Sequence, residues 1–450
     1  MVEAKTSSTV QEAVQIRCYA SLEEVSPLRE ALNAINLSSS RPDPFSTLEF
    51  YQHYFLYDEY YPGGRGFELW FLVAFRGANP VGYVALKRHA GRFLGLPASR
   101  VGFLVVHDTD RPHVVAREAD LPDVAAACHQ WLAAQGNAWS LLELHQQEED
   151  SPLATLPAPL NDGRYRLADW DSHENATIHL RWSGLNDYYA EMSANMRSTL
   201  ARQSRRLAEL GTVEVLSSDD PASIPALFEL YRVVESNSWK AVVGAGVNRN
   251  LLRETYIRKL VMAPAPLTTT IKILLLDGEP ISGIITGRFF DKSYLLQLAY
   301  DERLAKVGPG SPMLALCVEE SLRRGCSQFN LLNGFSVYKS RWLADVTQTR
   351  VLQMYRKGGV PDLRRRIGDL RRRWRNPVAP KISERANPSR IEALETLKTP
   401  SPNESLRRPL TAIEKHPIDA WIKAAGLGEL QRISSAELLG SMPGKLFRHS

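Results

Sequence analysis

The chain has 450 residues, too many for a single hydrophobic core, so two domains with extensions are expected. Hydrophobic residues make up 44% and charged residues 23%, a globular balance that excludes disordered and collagen-like classes. The net charge of +5 is smaller than the +6 carried by Leu363–Arg375 alone, with seven arginines and one aspartate, so the rest of the chain is near neutral.

The longest apolar runs, such as Leu69 to Phe75, are strand-sized and too short to span a bilayer. Met1 to Val10 has no apolar core of the kind a signal peptide carries, and a cytoplasmic location is expected. Cys18, Cys128, Cys317 and Cys326 lack CxxC spacing and read as reduced thiols, with no metal site expected.

In chain order, residues 1–40 read as a polar N-terminal extension, followed by an aromatic-rich helix and loop from Phe45 to Tyr61. Leu69 to Phe75 and Val81 to Leu86 are strands around the turn signal Arg76-Gly77-Ala78-Asn79-Pro80. Val101 to Val106 is a third strand, Asp123 to Ala134 a helix and Trp139 to Leu144 another strand. A loop rich in Pro, Asp and Gly runs from Glu148 to Gly163.

The second half opens with a helix over Leu185 to Leu210, apolar on one face and carrying Arg202, Arg205 and Arg206 on another. A strand at Thr212 to Leu216 and helices at Ile224 to Ser236 and Asn250 to Val261 come next. A hairpin turns at Asp277-Gly278-Glu279-Pro280, and a strand ends at Tyr300. A helix from Pro312 to Arg324, the strand Phe329 to Leu332 and a last strand near Thr347 to Tyr355 complete it. The order strand, hairpin, strand, connection, helix, Gly, strand occurs twice, and Asn79-Pro80 matches Glu279-Pro280. The halves read as a duplication, with lobes at 41–180 and 181–360.

Only the second copy has a glycine loop, Val307-Gly308-Pro309-Gly310-Ser311-Pro312. Ser311 is a favourable N-cap and Pro312 suits the first helical position. Gly308 and Gly310 can take positive φ and admit a ligand to the backbone. Unpaired N–H groups at such a helix start attract anions. The spacing matches neither GxxxxGK[ST] nor GxGxxG.

Residues Trp182 to Lys357 resemble the GCN5-related N-acetyltransferase (GNAT) superfamily, and within it the CelD-like, FemAB-related paired acyltransferase domains. The likeness rests on Met196-Arg197 through Arg205-Arg206-Leu207, and on Glu235 with Ser238-Trp239-Lys240. It continues in Glu279-Pro280-Ile281, in Lys306 to Ser311, and in Phe329-Asn330-Leu331 with Tyr338-Lys339-Ser340-Arg341-Trp342. Asn330 departs from it, because such sequences commonly have Asp there.

The resemblance implies an α/β fold of two tandem GNAT-like domains, each a mixed, largely antiparallel sheet flanked by helices. It also implies acyl transfer from acyl-CoA (acetyl-CoA or longer) to an amine or hydroxyl of a small-molecule, glycan or peptide precursor. Donor contacts are expected at Leu298, Tyr300, Val307, Gly308, Gly310 and Ser311. Glu235, beside Trp239, is the candidate base, Tyr338 the candidate acid toward the thiolate, and Lys339 a holder of an anionic substrate group. A glutamate in a helix's last turn, a core tyrosine and a solvated lysine are the plain alternatives. An aminoacyl-tRNA-dependent FemAB-like transferase and a non-catalytic, membrane- or polysaccharide-pathway scaffold are the rival functions.

The basic amphipathic helix at 361–376 has Leu363, Ile367, Leu370 and Trp374 at spacings of four, three and four. Packing on the domain, an anionic membrane surface (a peripheral location) and tRNA contact through Arg364–Arg375 all suit that pattern. Residues 377–409 read as a Pro- and Ser-rich linker, and 410–450 as a small helical segment.

Overall fold

The computed structural model describes residues 12–59, 66–93, 96–105, 109–153, 163–263, 265–333, 337–375 and 431–434. The first lobe opens with β1 (Gln15–Tyr19), α1 (Leu22–Val25), α2 (Arg29–Leu37) and α3 (Leu48–Glu59). It continues through β2 (Phe67–Arg76), β3 (Asn79–His89), β4 (Arg92–Phe93), β5 (Leu96–Pro97), β6 (Arg100–Phe103) and β7 (Val115–Ala116). It closes with α4 (Leu121–Ala134), β8 (Leu141–Gln147) and β9 (Tyr165–His179). The second lobe begins with α5 (Leu185–Glu191), α6 (Ala194–Leu210), β10 (Val213–Ser218), α7 (Ile224–Ser236), α8 (Trp239–Val242) and α9 (Leu251–Met262). There follow β11 (Thr268–Leu276), β12 (Glu279–Phe289), β13 (Lys292–Tyr300), α10 (Gly310–Arg323), β14 (Gln328–Asn333), α11 (Val337–Ser340), β15 (Asp345–Arg356) and α12 (Val360–Arg375). A short β16 (Gln431–Ser434) comes last.

The duplication is visible in hydrogen-bond register as well as in element order. The β2–β3 hairpin slips between Ala74 and Phe75, putting Phe75 opposite Pro80, and β11–β12 slips between Leu274 and Leu275, putting Leu275 opposite Pro280. In each case proline cannot donate to the ladder, and the irregularity sits where it stands. Each lobe then has one parallel pair, β6 with β8 and β13 with β14.

The two halves form one continuous sheet, in the order β1-β2-β3-β6-β8-β15-β9-β14-β13-β12-β11-β10-β16. The last strand of each lobe is exchanged: β15 pairs with β8 of the first lobe, and β9 pairs with β14 of the second. The exchanged strands pair with one another over the register Asp345↔Thr177 to Arg356↔Tyr165.

Apolar side chains cover both faces of each half. In the second lobe α7 and α9 pack Leu227, Tyr231, Val234 and Ile257 on one face. On the other, α6 and α10 pack Met196, Leu200, Leu207, Leu314 and Val318. The α6 pattern follows from its sequence, since Met196, Leu200, Ser204 and Leu207 are buried while Arg202, Arg205 and Arg206 face solvent.

Three sequence expectations are corrected, and one strand was missed. Residues 15–37 are not an extension: β1 pairs along β2, and Leu22, Val25, Leu32 and Ile35 are core residues. The single helix over 185–210 is two, because the Ser193 side chain accepts from Met196 N and starts a new helix. Strand β9 was not foreseen, because the polar run Asp169-Trp170-Asp171-Ser172-His173-Glu174-Asn175 gives it no apolar alternation. Within 410–450, residues 431–434 are a strand paired to β10, with the rest of that range outside the described residues, as is 377–409.

Because β15 crosses over, Met354 of the second lobe is buried in the first lobe's core with Trp139, Leu142 and Val124. Met354→Ala is expected to lower unfolding free energy by about 2–5 kcal/mol, the usual cost of emptying such a site. Urea unfolding with an unchanged m-value checks it.

Candidate active site

Strand β13 has two partners at its start and one at its end. It pairs with β14 at Lys292↔Gln328, Ser293↔Phe329 and Tyr294↔Asn330, and among the described residues the pairing goes no further while β13 runs on to Tyr300. On its other side the ladder with β12 slips between Ile285 and Thr286, with Leu295 opposite Thr286 and Gln297 opposite Ile285. Leu296 is therefore the extra residue of a bulge, placed just where the neighbouring strands separate. A bulge bends the strand and redirects its backbone groups. The result is a wedge whose one wall is a strand edge able to pair with an extended ligand.

The wedge leads to the glycine loop. Asp301 caps the short turn Glu302–Leu304, and the N–H groups of Val307 and Gly308 both donate to the Leu304 carbonyl, at 2.9 and 3.0 Å. Gly308 has φ +75°, a conformation that favours glycine, and the side-chain amide of Gln203 from α6 packs against it. Gly310 differs from its expectation. It is the first residue of α10 and does not have positive φ, and a Cβ on it would meet the Tyr300 ring at 3.3 Å and Leu298 at 3.7 Å. Ser311 is likewise not the N-cap: Pro309 holds that position without a side-chain cap, and Ser311 lies inside the first turn with its N–H toward the Gly308 carbonyl at 3.3 Å. The structure thus brings Leu298, Tyr300 and Gly310 together, with Gly308 and Ser311 beside them. Val307 packs on the α6–α10 core. Arg206, an exposed arginine of α6, donates to the Lys306 carbonyl beside the loop at 3.4 Å.

Glu235 is 1% exposed, but not because of Trp239, which is 49% exposed. Its Oε2 accepts from Val247 N at 2.6 Å and Asn248 N at 3.0 Å, and its Oε1 from the Tyr231 hydroxyl at 3.0 Å and Lys240 Nζ at 3.3 Å. A Cβ on Gly246 would strike the carboxylate at 2.7 Å. The carboxylate is thus filled by groups that hold the loop after α8. Lys240 also donates to Gln297 Oε1 at 3.0 Å, which links this clamp to the bulge in β13.

Lys339 is not solvated. It is 7% exposed, and its ammonium donates to the carbonyls of Leu331 at 2.7 Å and Leu332 at 3.4 Å, which pins the end of β14. Burial pushes its pKa down to about 8, with Asp110 opposing the shift. Tyr338 stands next to it on α11, and its side chain lies outside the described residues.

Asp110 is a residue of this region that reading the sequence missed. This residue of the first lobe is 5% exposed and accepts from Asn330 Nδ2 at 2.9 Å, from Asn175 of β9 and from Arg111. Arg111 and Arg41 share Glu148 at 2.9 and 2.7 Å. Burial pushes the Glu148 carboxyl up, but the two guanidiniums hold it below its ordinary value. Where many relatives of the resembled family carry an aspartate, this chain has Asn330, and a carboxylate from the other lobe reaches it. The only sequence signal was the charged run Asp108-Thr109-Asp110-Arg111 in the connection that lacks a glycine loop.

Residues 194–340 match the family model described as acetyltransferase (GNAT) domain. That match spans most of the second lobe, within an α/β fold whose mixed, largely antiparallel sheet is flanked by helices. Among solved structures it is similar to FemX, at 10% identity and a TM-score of 0.49, over 75% of this chain and 96% of that one. It is also similar to the C-terminal domain of a putative lysylphosphatidylglycerol synthetase from Agrobacterium fabrum, at 14% identity and a TM-score of 0.43, over 78% and 95%. A tandem GNAT protein from the clavulanic acid biosynthesis pathway is similar at 13% identity and a TM-score of 0.37, over 77% and 99%. No curated protein sequence matches this chain.

Two outcomes follow from the buried charges. Glu235→Ala leaves Lys240 and two backbone N–H groups without their anion and should destabilise the protein by about 3–5 kcal/mol, read by chemical denaturation. For Lys339, the folded pKa lies below the unfolded one, so the folded state binds fewer protons between about pH 8 and the ordinary lysine range. Stability contributed by this group therefore rises with pH across that window and is flat below it. Lys339→Met should remove the rise, seen by comparing urea midpoints of both proteins at about pH 7 and about pH 9.5.

Proposed function

We propose that the second lobe transfers an acyl group from an acyl-CoA thioester to an amine, or less often a hydroxyl, in a ternary complex. The observation that carries this reading is the separation of β13 from β14 beyond Tyr294 and Asn330, at a bulge, with the free strand edge leading into Gly308–Gly310. A pantetheine arm carries amides that can pair with a strand edge, and its thioester would then lie near the bulge. The pyrophosphate would sit at Val307–Ser311, beside the start of α10, with Arg202, Arg205, Arg206 and Lys306 near its charge. Gly310 would let it approach over Leu298 and Tyr300.

In this reading the acceptor nitrogen attacks the thioester carbonyl, and backbone N–H groups near Leu298 to Tyr300 stabilise the oxyanion. Tyr338 is proposed to protonate the departing thiolate. Lys339 is proposed to keep the end of β14 in place rather than to bind substrate, given its bonds to Leu331 and Leu332. Glu235 is proposed as a loop clamp, which leaves proton removal to water or to an acceptor arriving as the free amine. The first lobe has no glycine loop, and its β6 ends at Phe103, so one donor per chain is expected.

The exposed arginines of α6 also suit an RNA backbone, which supports aminoacyl-tRNA as the second candidate donor. Calorimetry separates the two: one CoA per chain supports the first, and salt-sensitive tRNA binding without CoA binding supports the second. Gly310→Val presses a branched side chain onto Tyr300 and should weaken CoA binding by roughly tenfold or more while circular dichroism is unchanged. Unaltered CoA affinity in that folded variant would remove the loop from the donor site.

A further inference from the structure

The α12 helix is attached to the domain by one side of its first turns. Asp362 is 1% exposed and accepts from Arg166 Nε at 2.9 Å and from Gly358 N at 3.2 Å. Arg365 lies over the Tyr355 ring at 5.1 Å and donates to the Leu167 carbonyl at 3.4 Å. The first two residues of the apolar stripe, Leu363 and Ile367, are therefore not what packs on the domain. Leu363 is 53% exposed and Ile367 43%, one turn apart, and Leu167 of β9 nearby is 54% exposed.

Helical register makes the arrangement clearer. At roughly 100° per residue, Leu363, Ile367, Leu370 and Trp374 fall within an arc of about 60°, whose middle lies a little over a quarter-turn from Asp362 and almost opposite Arg365. The arginines at 364, 371 and 375 fall on one flank of that arc, and those at 366 and 373 on the other. Of the two aspartates in the helix, Asp362 is spent on Arg166. Arg164 of the segment before β9 and Lys357 after β15, both exposed, extend the positive surface beside the helix start.

We propose that α12 is an in-plane anchor that lays its Leu363–Ile367–Leu370–Trp374 stripe into the surface of an anionic lipid bilayer, with the flanking arginines among the headgroups. An RNA backbone would answer the arginines but leave the stripe in water, whereas a lipid surface takes up both. Among the described residues no helix is long and apolar enough to cross a membrane, so attachment through α12 is superficial. This inference is independent of the donor proposed above.

The test is co-sedimentation of the full chain with phosphatidylcholine vesicles and with vesicles that also contain phosphatidylglycerol. Binding is expected only to the second, and to fall when salt is raised. Leu363→Ser with Ile367→Ser should weaken it by roughly tenfold or more. Both positions are exposed, so thermal unfolding should match wild type. Arg364→Gln with Arg371→Gln should also weaken it and reduce its salt dependence. Wild-type protein that ignores phosphatidylglycerol vesicles would overturn the proposal, as would undiminished binding in the Leu363–Ile367 variant. Bulk tRNA that binds equally to wild type and to that variant, and strips the protein from vesicles, would instead identify an RNA-binding helix.

Discussion

A strand has two edges, and β9 and β15 each use one on the other. The remaining edge of β15 closes β8 of the first lobe, and that of β9 closes β14 of the second. Without the exchange, β8 and β14 would each present open backbone donors and acceptors at the middle of the molecule. With it, the two lobes share one hydrogen-bonded sheet, and their relative placement follows from strand register. The wedge beside β13 depends on this. β14 can leave β13 after Asn330 because β9 holds its other edge, so the gap opens on one side only.

The same placement explains why the first lobe can lack a glycine loop and still bear on the site. Its connection after β6 carries Asp110 to Asn330, at the point where β13 and β14 part. The carboxylate that the resembled family commonly has on β14 is replaced by an amide, and the charge comes from across the junction instead. Arg111 pairs with Asp110 and also with Glu148, which Arg41 meets in turn, so the buried carboxylate of Asp110 has a cationic and an amide partner. The duplicated half is a wall, but one that reaches into its neighbour.

The parts of this fold set by local chemistry were readable from the chain. Hairpins at Asn79-Pro80 and Glu279-Pro280 announce themselves through turn residues, and α7, α9 and α6 through spacing. The parts set by pairing across long sequence distances were not, and β9 against β15 is the main case, since neither strand records its partner. At the site, Gly308 was read correctly because positive φ is a local demand. Ser311 was misread because the helix starts earlier, at Gly310, under Leu298 and Tyr300. The surroundings of Glu235 were not legible, because sequence shows a carboxylate near an aromatic but not the two N–H groups of Val247 and Asn248 that bond to it.

The strand exchange also has a consequence for the order in which the molecule is made. As the chain emerges during synthesis, the first lobe's helices and hairpin can assemble early, but the outer edge of β8 waits for residues 345–356. Almost two hundred residues separate the end of β8 from the strand that covers it. Through that interval the nascent lobe displays an adhesive border, so completion of either half comes only when both have been translated.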